Sequence, residues 1–473
     1  MADPEEGIAL VDVLAFTGGR VLAGTGNPVF TGVSTDSRTV NAGELFIALR
    51  GERFDGHRFV EEALESGAAG VVVEEDPSRQ TLSRTRAAVV RVPDSLQALG
   101  DLAAGWRRAF STPVGVLTGS NGKTTTKEMT MAILRLCFSC LWSPGNFNNR
   151  IGLPLTLLKL KAEHERVVLE MGMNEPGEIR VLTRIAHPQA GALLNVGPAH
   201  LERFASIEAV AEAKGEMLHE MPRESVFVFN RDDPRVRALA DRWDGPRTSF
   251  GRTGDADVRL LEAEERGSTQ TIRIAIRGTD VSTGIHLPGR HNLMNGLAAA
   301  ALASSLGAPL DAIGEGLARF RTMEGRFSVR MYEDFTVVDD SYNANPASME
   351  SALETLSGLS GEAGRILVLG DMLELGGFSG EAHIELGRKA ARVRPSLLCV
   401  TGEYAKWVVQ GAREQGLPAD RVVVFEDAKT VAQKILERMQ RGEWVLIKGS
   451  RGMALERVVD ELHRQSKPLP EEG

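Results

Sequence analysis

Short apolar runs closed by glycine, proline or polar clusters recur along the chain, and between them apolar positions return every three or four residues. The first pattern predicts buried strands and the second predicts helices. Near the N-terminus Glu44–Leu49, Ala69–Val73 and Ala87–Val92 read as strands, with a helix over Phe59–Ser66. Asp94 caps a predicted helix that runs to about Arg108. Val114–Thr118 is a strand, and Met129, Ile133 and Leu134 give the segment behind it helical spacing. Further runs at Val167–Leu169, Ala192–Val196 and Val226–Phe229 alternate with helical stretches such as Ile207–Leu218, which predicts a parallel sheet wrapped by helices. From about Asp255 to Leu287 the period changes to two, so an antiparallel annex is expected before the alanine-rich helix that begins near Gly289. Beyond Met323-Glu324-Gly325-Arg326, a hinge, strands at Phe335–Val338, Ile366–Leu369, Leu397–Val400, Val422–Phe425 and Trp444–Ile447 form a doubly wound pattern without a G-x-G-x-x-G of its own. The expected fold is α/β in three domains: a small α/β domain over 1–93, a central parallel-sheet domain over 94–323, and a Rossmann-like domain over 324–473.

The turn Gly119-Ser120-Asn121-Gly122 stands between a strand and a helix. Glycines let successive N–H groups point inward, and the helix N-terminus adds unpaired donors and a partial positive charge. Lys123 supplies a full charge, and the hydroxyl of a threonine such as Thr124 can ligate Mg²⁺. The result is a nest for nucleotide phosphates, although G-x-x-G-K-T is shorter than the common G-x-x-x-x-G-K-[ST].

Polar residues gather at the ends of the neighbouring strands, where ligands of such sheets bind. Glu170 closes one strand, Asn195 closes the next and His200 follows. Glu170 and His200 are expected to face one crevice and to hold a metal. The cluster Thr35-Asp36-Ser37-Arg38 is either an anion site or a solvated turn with an internal Asp–Arg pair. The amide-rich loop Gly145–Gly152 suits recognition of polar ligand groups, and is also ordinary turn chemistry. Asn292 and Asn295, three apart on one helix face, either read a base edge or cap the helix. Asn230-Arg231-Asp232-Asp233 departs from a guanine-reading motif and reads as a turn with a helix start at Asp233-Pro234.

Composition narrows the classes. The 473 residues carry a formal charge of −9, which argues against broad nucleic-acid binding. Cys137, Cys140 and Cys399 make no disulfide framework, and Cys137-x-x-Cys140 lacks a second pair for zinc, so two small buried residues are expected there. No signal core or bilayer-length apolar run is present, so a soluble cytoplasmic protein is expected.

In order along nearly the whole chain, S-T-D-S-R, T-G-S-N-G-K-T-T-T-K-E, G-N-F-N-N-x-I-G-x-P, L-E-M-G, N-V-G-P-A-H-L-E, A-K-G-E, H-N-x-x-N, D-D-S-Y-N-A-N-P, L-G-D-M-x-E-L-G and K-G-S-R-G-M resemble the motifs of the Mur ligases of bacterial cell-wall synthesis. That family uses the short phosphate loop. G-S-N-G-K-T-T-x-K-E and D-S-Y-N-A-N-P point to its branch that joins D-alanyl-D-alanine to UDP-N-acetylmuramoyl-tripeptide, and no D-N-P-R motif of the diaminopimelate-adding branch is present.

The resemblance implies ATP on Gly119, Ser120, Asn121, Gly122, Lys123, Thr124 and Thr125, with Lys123 on the terminal phosphates and Thr124 on a first Mg²⁺. It places Glu170 and His200 near a second Mg²⁺ and matches Lys214 to a carbamylated lysine (N6-carboxylysine) that serves as a metal ligand. Asn292 and Asn295 become adenine-side contacts, and Arg326 and Asp340 nucleotide contacts brought in by closure of the third domain. Ser34, Thr35, Asp36, Ser37 and Arg38 fall where UDP is held, with Asn146, Asn148 and Asn149 near the sugar-peptide. Lys123, Glu170, His200 and Lys214 are the implied catalytic set, in a monomer that needs neither nucleic acid nor membrane. Competing readings are another ligase of the superfamily (diaminopimelate-adding or folylpolyglutamate-forming), a guanine-nucleotide switch, which lacks its reading motif, and a scaffold with a dead phosphate loop, which intact Lys123, Thr124, Glu170 and His200 argue against.

Overall fold

The computed structural model describes residues 7–51, 54–198 and 202–469. His200 lies outside these described residues.

Three large sheets follow one another along the described residues, after a two-stranded antiparallel pair of Ile8–Ala9 with Val29–Phe30. The first has five strands in the spatial order Arg20–Ala23, Ala88–Arg91, Gly70–Val73, Leu45–Ile47, Val33–Ser34. All neighbours are parallel except the edge pair made by Arg20–Ala23. Alternation divides its residues. Phe46, Val71, Val73 and Val89 bury one face with Val60 and Ala63, while Leu45, Ile47, Val72 and Val90 face Leu10 and Val13 of the helix Leu10–Thr17. That second face merges with Leu99 and Leu102 of the connecting helix Ser95–Arg107. Asp94 caps this helix as expected, its carboxylate accepting from the Gln97 N–H at 2.8 Å.

The central sheet has nine strands, in the order Thr279–Ile285, Thr269–Ile276, Val258–Arg266, Arg247–Gly251, Val226–Asn230, Ala190–Leu193, Val114–Thr118, Arg166–Glu170, Cys140–Trp142. The period-two stretch forms the antiparallel end, and every other pairing is parallel. Val114–Thr118, wholly buried, lies between two other buried strands, which explains its unbroken apolar character. Helices Lys123–Leu134, Arg290–Ser305 and Leu310–Arg319 cover one face; Ser95–Arg107, Gly152–Leu157 and Glu178–Ala186 cover the other. Register brings Leu117 opposite Glu170 and Thr118 opposite Leu193, so the carboxyl ends of these strands share one edge.

The third sheet has six strands, ordered Ser328–Met331, Phe335–Asp340, Glu443–Lys448, Arg365–Leu369, Leu397–Val400, Val422–Val424, parallel apart from the first pair. Two separate cores flank it, one around Val338, Leu367 and Leu446, the other around Val337, Ile366 and Val445. A three-domain α/β architecture is therefore present.

Several local expectations change. Asn195 does not close a strand, since Ala190–Leu193 ends two residues earlier. Cys137 is exposed and Cys140 half-buried, because the second of them opens the edge strand Cys140–Trp142 rather than entering the core.

Candidate active site

The phosphate loop is built from Gly122 upward. Gly122 adopts φ +79°, and a Cβ there would stand 2.2 Å from the Asn295 Oδ1 atom, so this position needs glycine on two counts. The loop is stapled to the segment after the next strand. Asn121 N–H donates to Asn195 Oδ1 at 2.9 Å, and Asn195 Nδ2 returns a bond to Asn121 O at 3.1 Å. Ser120 Oγ donates to Gly197 O at 3.0 Å and accepts from Gly197 N–H at 2.9 Å. Lys123 turns its Nζ back onto Gly119 O at 2.8 Å. Burial lowers its pKa, the Glu170 charge opposes that, and Arg326 adds to it.

Glu170 is buried at the end of its strand. One carboxylate oxygen accepts from Asn148 Nδ2 at 2.8 Å; the other has no partner. Thr118 Oγ, at the end of the neighbouring strand, is also buried without a partner. A buried carboxylate oxygen left bare costs free energy that a cation would recover. The hard oxygens of Glu170, Thr118 and Thr124 suit Mg²⁺ in type, so the donor set fits the implied ion. Among the described residues no cluster of three His, Cys, Asp or Glu side chains is present. Lys214, on the helix Ile207–Gly215, is buried, and both burial and the charge of Lys123 push its pKa well down.

The third domain reaches this loop directly. Arg326 Nη2 donates to Thr124 Oγ1 at 2.9 Å, and its guanidinium lies 4.0 Å over the Tyr342 ring. Asn345 caps the helix Pro346–Ser360 and extends Nδ2 to Asn121 Oδ1 at 2.6 Å. His291 Nδ1 meets Ser351 Oγ at 2.7 Å. Asp340 pairs with buried Lys448 at 2.5 Å, and burial raises the Asp340 pKa against the pull of that lysine. Lys123 and Arg326 outnumber the one carboxylate of Glu170, an electrostatic balance suited to a polyphosphate.

Other expected residues sit elsewhere. Asn292 and Asn295 are buried: Asn295 Nδ2 donates to Asn292 Oδ1 at 3.1 Å, and Asn292 Nδ2 donates to Pro288 O at 2.8 Å. They brace the back of the phosphate loop. Beside them a cavity of about 710 Å³ opens between Asn230–Arg235 and the helix start, where Arg290, His291, Leu293 and Met294 form its wall. Its size suits a nucleoside. In Ser34–Arg38 the guanidinium fork grips Asp36 at 2.9 and 2.6 Å, holding that carboxyl down to about 2, and Ser34 Oγ bonds Asp36 O at 3.1 Å. Of the amide loop, Asn148 reaches Glu170, Asn149 Oδ1 caps the helix Gly152–Leu157 through Gly152 N–H at 2.9 Å, and Asn146 is exposed. Sequence reasoning gave Asn345, Thr118 and His291 no role. Asn345 follows from its place at a helix cap and Thr118 from its place as the last residue of the strand that enters the loop; periodicity alone carries no such signal.

Three family models match the chain in order: "Mur ligase family, catalytic domain" over residues 29–107, "Mur ligase middle domain" over 117–303 and "Mur ligase, glutamate ligase domain" over 325–451. The UDP-N-acetylmuramoyl-tripeptide–D-alanyl-D-alanine ligase of Bacillus subtilis is 36% identical over 92% of this chain and 93% of its own length. A crystal structure of MurF from Acinetobacter baumannii superposes with a TM-score of 0.88 at 30% identity, covering 97% of this chain and 99% of that one. MurF of Thermotoga maritima, solved in complex with ADP, gives a TM-score of 0.81 at 31% identity over 92% of this chain and 97% of that one.

Proposed function

The chain belongs to the Mur ligase family, and we propose that it works as the ligase that joins D-alanyl-D-alanine to UDP-N-acetylmuramoyl-tripeptide in peptidoglycan precursor synthesis. Likeness over more than nine-tenths of the chain to enzymes of that name supports the substrate pair. The observation that carries the chemistry is the meeting of Thr124, Arg326 and the half-bare Glu170 carboxylate around one phosphate loop.

A carboxylate is a poor electrophile, and its oxygen leaves badly. In our reading a carboxylate oxygen of the tripeptide attacks the γ-phosphorus of ATP; the bond to ADP breaks and an acyl phosphate forms. Loop N–H groups and Lys123 Nζ hold the phosphates, and Arg326 meets the charge that develops on the transferring group. The free amine of D-alanyl-D-alanine then attacks the acyl carbon, loses a proton, and the tetrahedral intermediate expels inorganic phosphate. An acyl phosphate hydrolyses if wet, so bonds that close the third domain onto the loop, from Asn345 and Arg326, also serve to exclude water. Thr124, Glu170 and Lys214 as its carbamate are the residues proposed to hold Mg²⁺, which supplies charge neutralisation at the phosphates when bound; His200 is assigned with them on its motif alone.

The remaining assignments are ours as well. Gly119–Thr125 cradle the phosphates; Asn292 and Asn295 support the adenine side from behind the loop; Asp340, through Lys448, sets the third-domain edge of the site. Ser34–Arg38 and Asn146, Asn148 and Asn149 serve the UDP-sugar end. We assign domain limits of 1–93, 94–323 and 324–473, a cytoplasmic location and a monomeric state. No helix among the described residues is long and apolar enough to cross a membrane.

The deciding experiment is phosphate release from ATP with UDP-muramoyl-tripeptide, with and without D-alanyl-D-alanine. Release that needs both, with a UDP-pentapeptide by mass, is the expected result. Release with a single amino acid on a shorter acceptor, and none with the dipeptide, moves the protein to another branch of the family.

A further inference from the structure

A second cavity, of about 210 Å³, lies where the helix Leu10–Thr17 meets the helices Ser95–Arg107 and Glu178–Ala186. No residue of the phosphate loop lines it. Arg108, Arg150 and Arg184 do, with Asp101 as the single carboxylate. Asp101 Oδ1 is engaged by Gln97 Nε2 at 2.8 Å. None of the three guanidinium groups has a hydrogen-bond or ion-pair partner among the described residues, and the Arg150 Nε atom is buried with none. Elsewhere in the same region arginine is satisfied: Arg107 spends its fork on Ala186 O, Phe110 O and Gln189 Oε1. A buried N–H without an acceptor costs free energy that an anion would recover. Arg108 and Arg184 are exposed to solvent and Arg150 is half-buried, so three like charges gather at one small opening with only the Arg150 Nε atom buried and bare. Gly105 shapes the floor, since a Cβ there would stand 2.3 Å from the Phe16 ring that lines the cavity.

We propose that this cavity binds a tetrahedral oxyanion of phosphate size, with Arg108, Arg150 and Arg184 as its donors. The volume takes a phosphate group and excludes a nucleotide. Arg150 directly follows Asn148 and Asn149, so an anion held here also fixes the loop that reaches Glu170. Free phosphate and the phosphoryl group of a small phosphomonoester share this chemistry.

The test is equilibrium dialysis of labelled inorganic phosphate against the full chain, its phosphate loop first filled with a non-hydrolysable ATP analogue and Mg²⁺. One saturable phosphate per chain is expected, weakened about tenfold or more in Arg108→Ala/Arg184→Ala while the analogue binds as before. Arg184→Ala alone, measured in parallel, keeps the answer if the double variant does not fold. Displacement by glycerol phosphate more tightly than by phosphate itself supports the site and names a phosphomonoester as its occupant; weaker displacement supports it with the free ion. Absence of saturable binding up to roughly 10 mM, or binding that the arginine substitutions leave unchanged, overturns the proposal. Failure of the analogue to bind would instead count against the nucleotide reading of the phosphate loop.

Discussion

Arg326 and Thr124 stand 202 positions apart in sequence, yet the guanidinium of one donates to the hydroxyl of the other at 2.9 Å. The bond joins the first residues of the third domain to the first turn of the phosphate-loop helix. It also occupies the hydroxyl proposed for Mg²⁺, so the two partners must separate, or share Thr124, when nucleotide enters. Arg326→Ala is therefore expected to lower kcat by about a hundredfold, the scale for removing a charged transition-state donor. Arg326→Lys restores little, because stacking on Tyr342 needs the planar group. Steady-state kinetics on the two variants decide it; a lysine variant as active as wild type would remove Arg326 from the reaction.

Glu170→Gln keeps an oxygen for Asn148 while discarding the charge. The chain should fold with its melting temperature intact, since a buried oxygen already lacking a partner contributes little to stability. Ligase activity should fall at least about a hundredfold, and the thermal stabilisation given by Mg²⁺ with ATP should vanish. Lys123→Ala is expected to lose activity likewise while remaining folded. Activity within about tenfold of wild type in either would contradict these roles.

The depressed pKa of Lys214 favours the neutral amine, which is the form that adds CO₂ and loses a proton to give a carbamate. A carbamate signal in ¹³C NMR with labelled CO₂ is expected in the wild type and should be missing from Lys214→Arg. Its presence in both would assign the modification to another lysine.

Asn345→Asp separates two duties. The carboxylate still caps the helix through the Ser348 N–H, now 2.9 Å away, but it has no donor for Asn121 Oδ1. Stability should stay within about 1 kcal/mol of wild type, while KM for ATP rises and kcat drops. Equal losses in stability and activity would mean that only the cap matters.

Burial, with the charge of Lys448, holds the His291 imidazole down to about 4 from an ordinary 6.5. Between these values the unfolded chain binds a proton that the folded chain refuses. Stability should thus fall as pH drops from about 6.5 to about 4, by up to about 3 kcal/mol, and be unaffected by this group above that window. Urea unfolding of wild type and His291→Gln across the window tests the sign: the wild type should lose more stability on acidification, and parallel profiles would refute the assignment.

The long strands and their parallel order were legible because buried strands write continuous apolar runs, as at Val114–Thr118. The edge strands Cys140–Trp142 and Ser328–Met331 were not, being three and four residues long and only partly buried. Within the site, the residues proposed for phosphate and metal are legible by their type. Directions are not: Asn292 and Asn295 share a helix face, as their spacing says, but the face turns toward Gly122 and away from the open cavity. The Asp36–Arg38 pair shows the same limit, since composition allowed both an anion site and a self-satisfied turn, and the observed geometry is the second.

The close approach of Gly122 to Asn295 has an evolutionary consequence. Any side chain at 122 meets the amide at 2.2 Å, and a smaller residue at 295 would strip Thr126 and Asn292 of their shared partner. A change at 295 would relieve the clash but not the φ of +79° at 122, so no partner substitution frees that glycine. The two positions, 173 residues apart, should therefore both stay put in descendants of this gene.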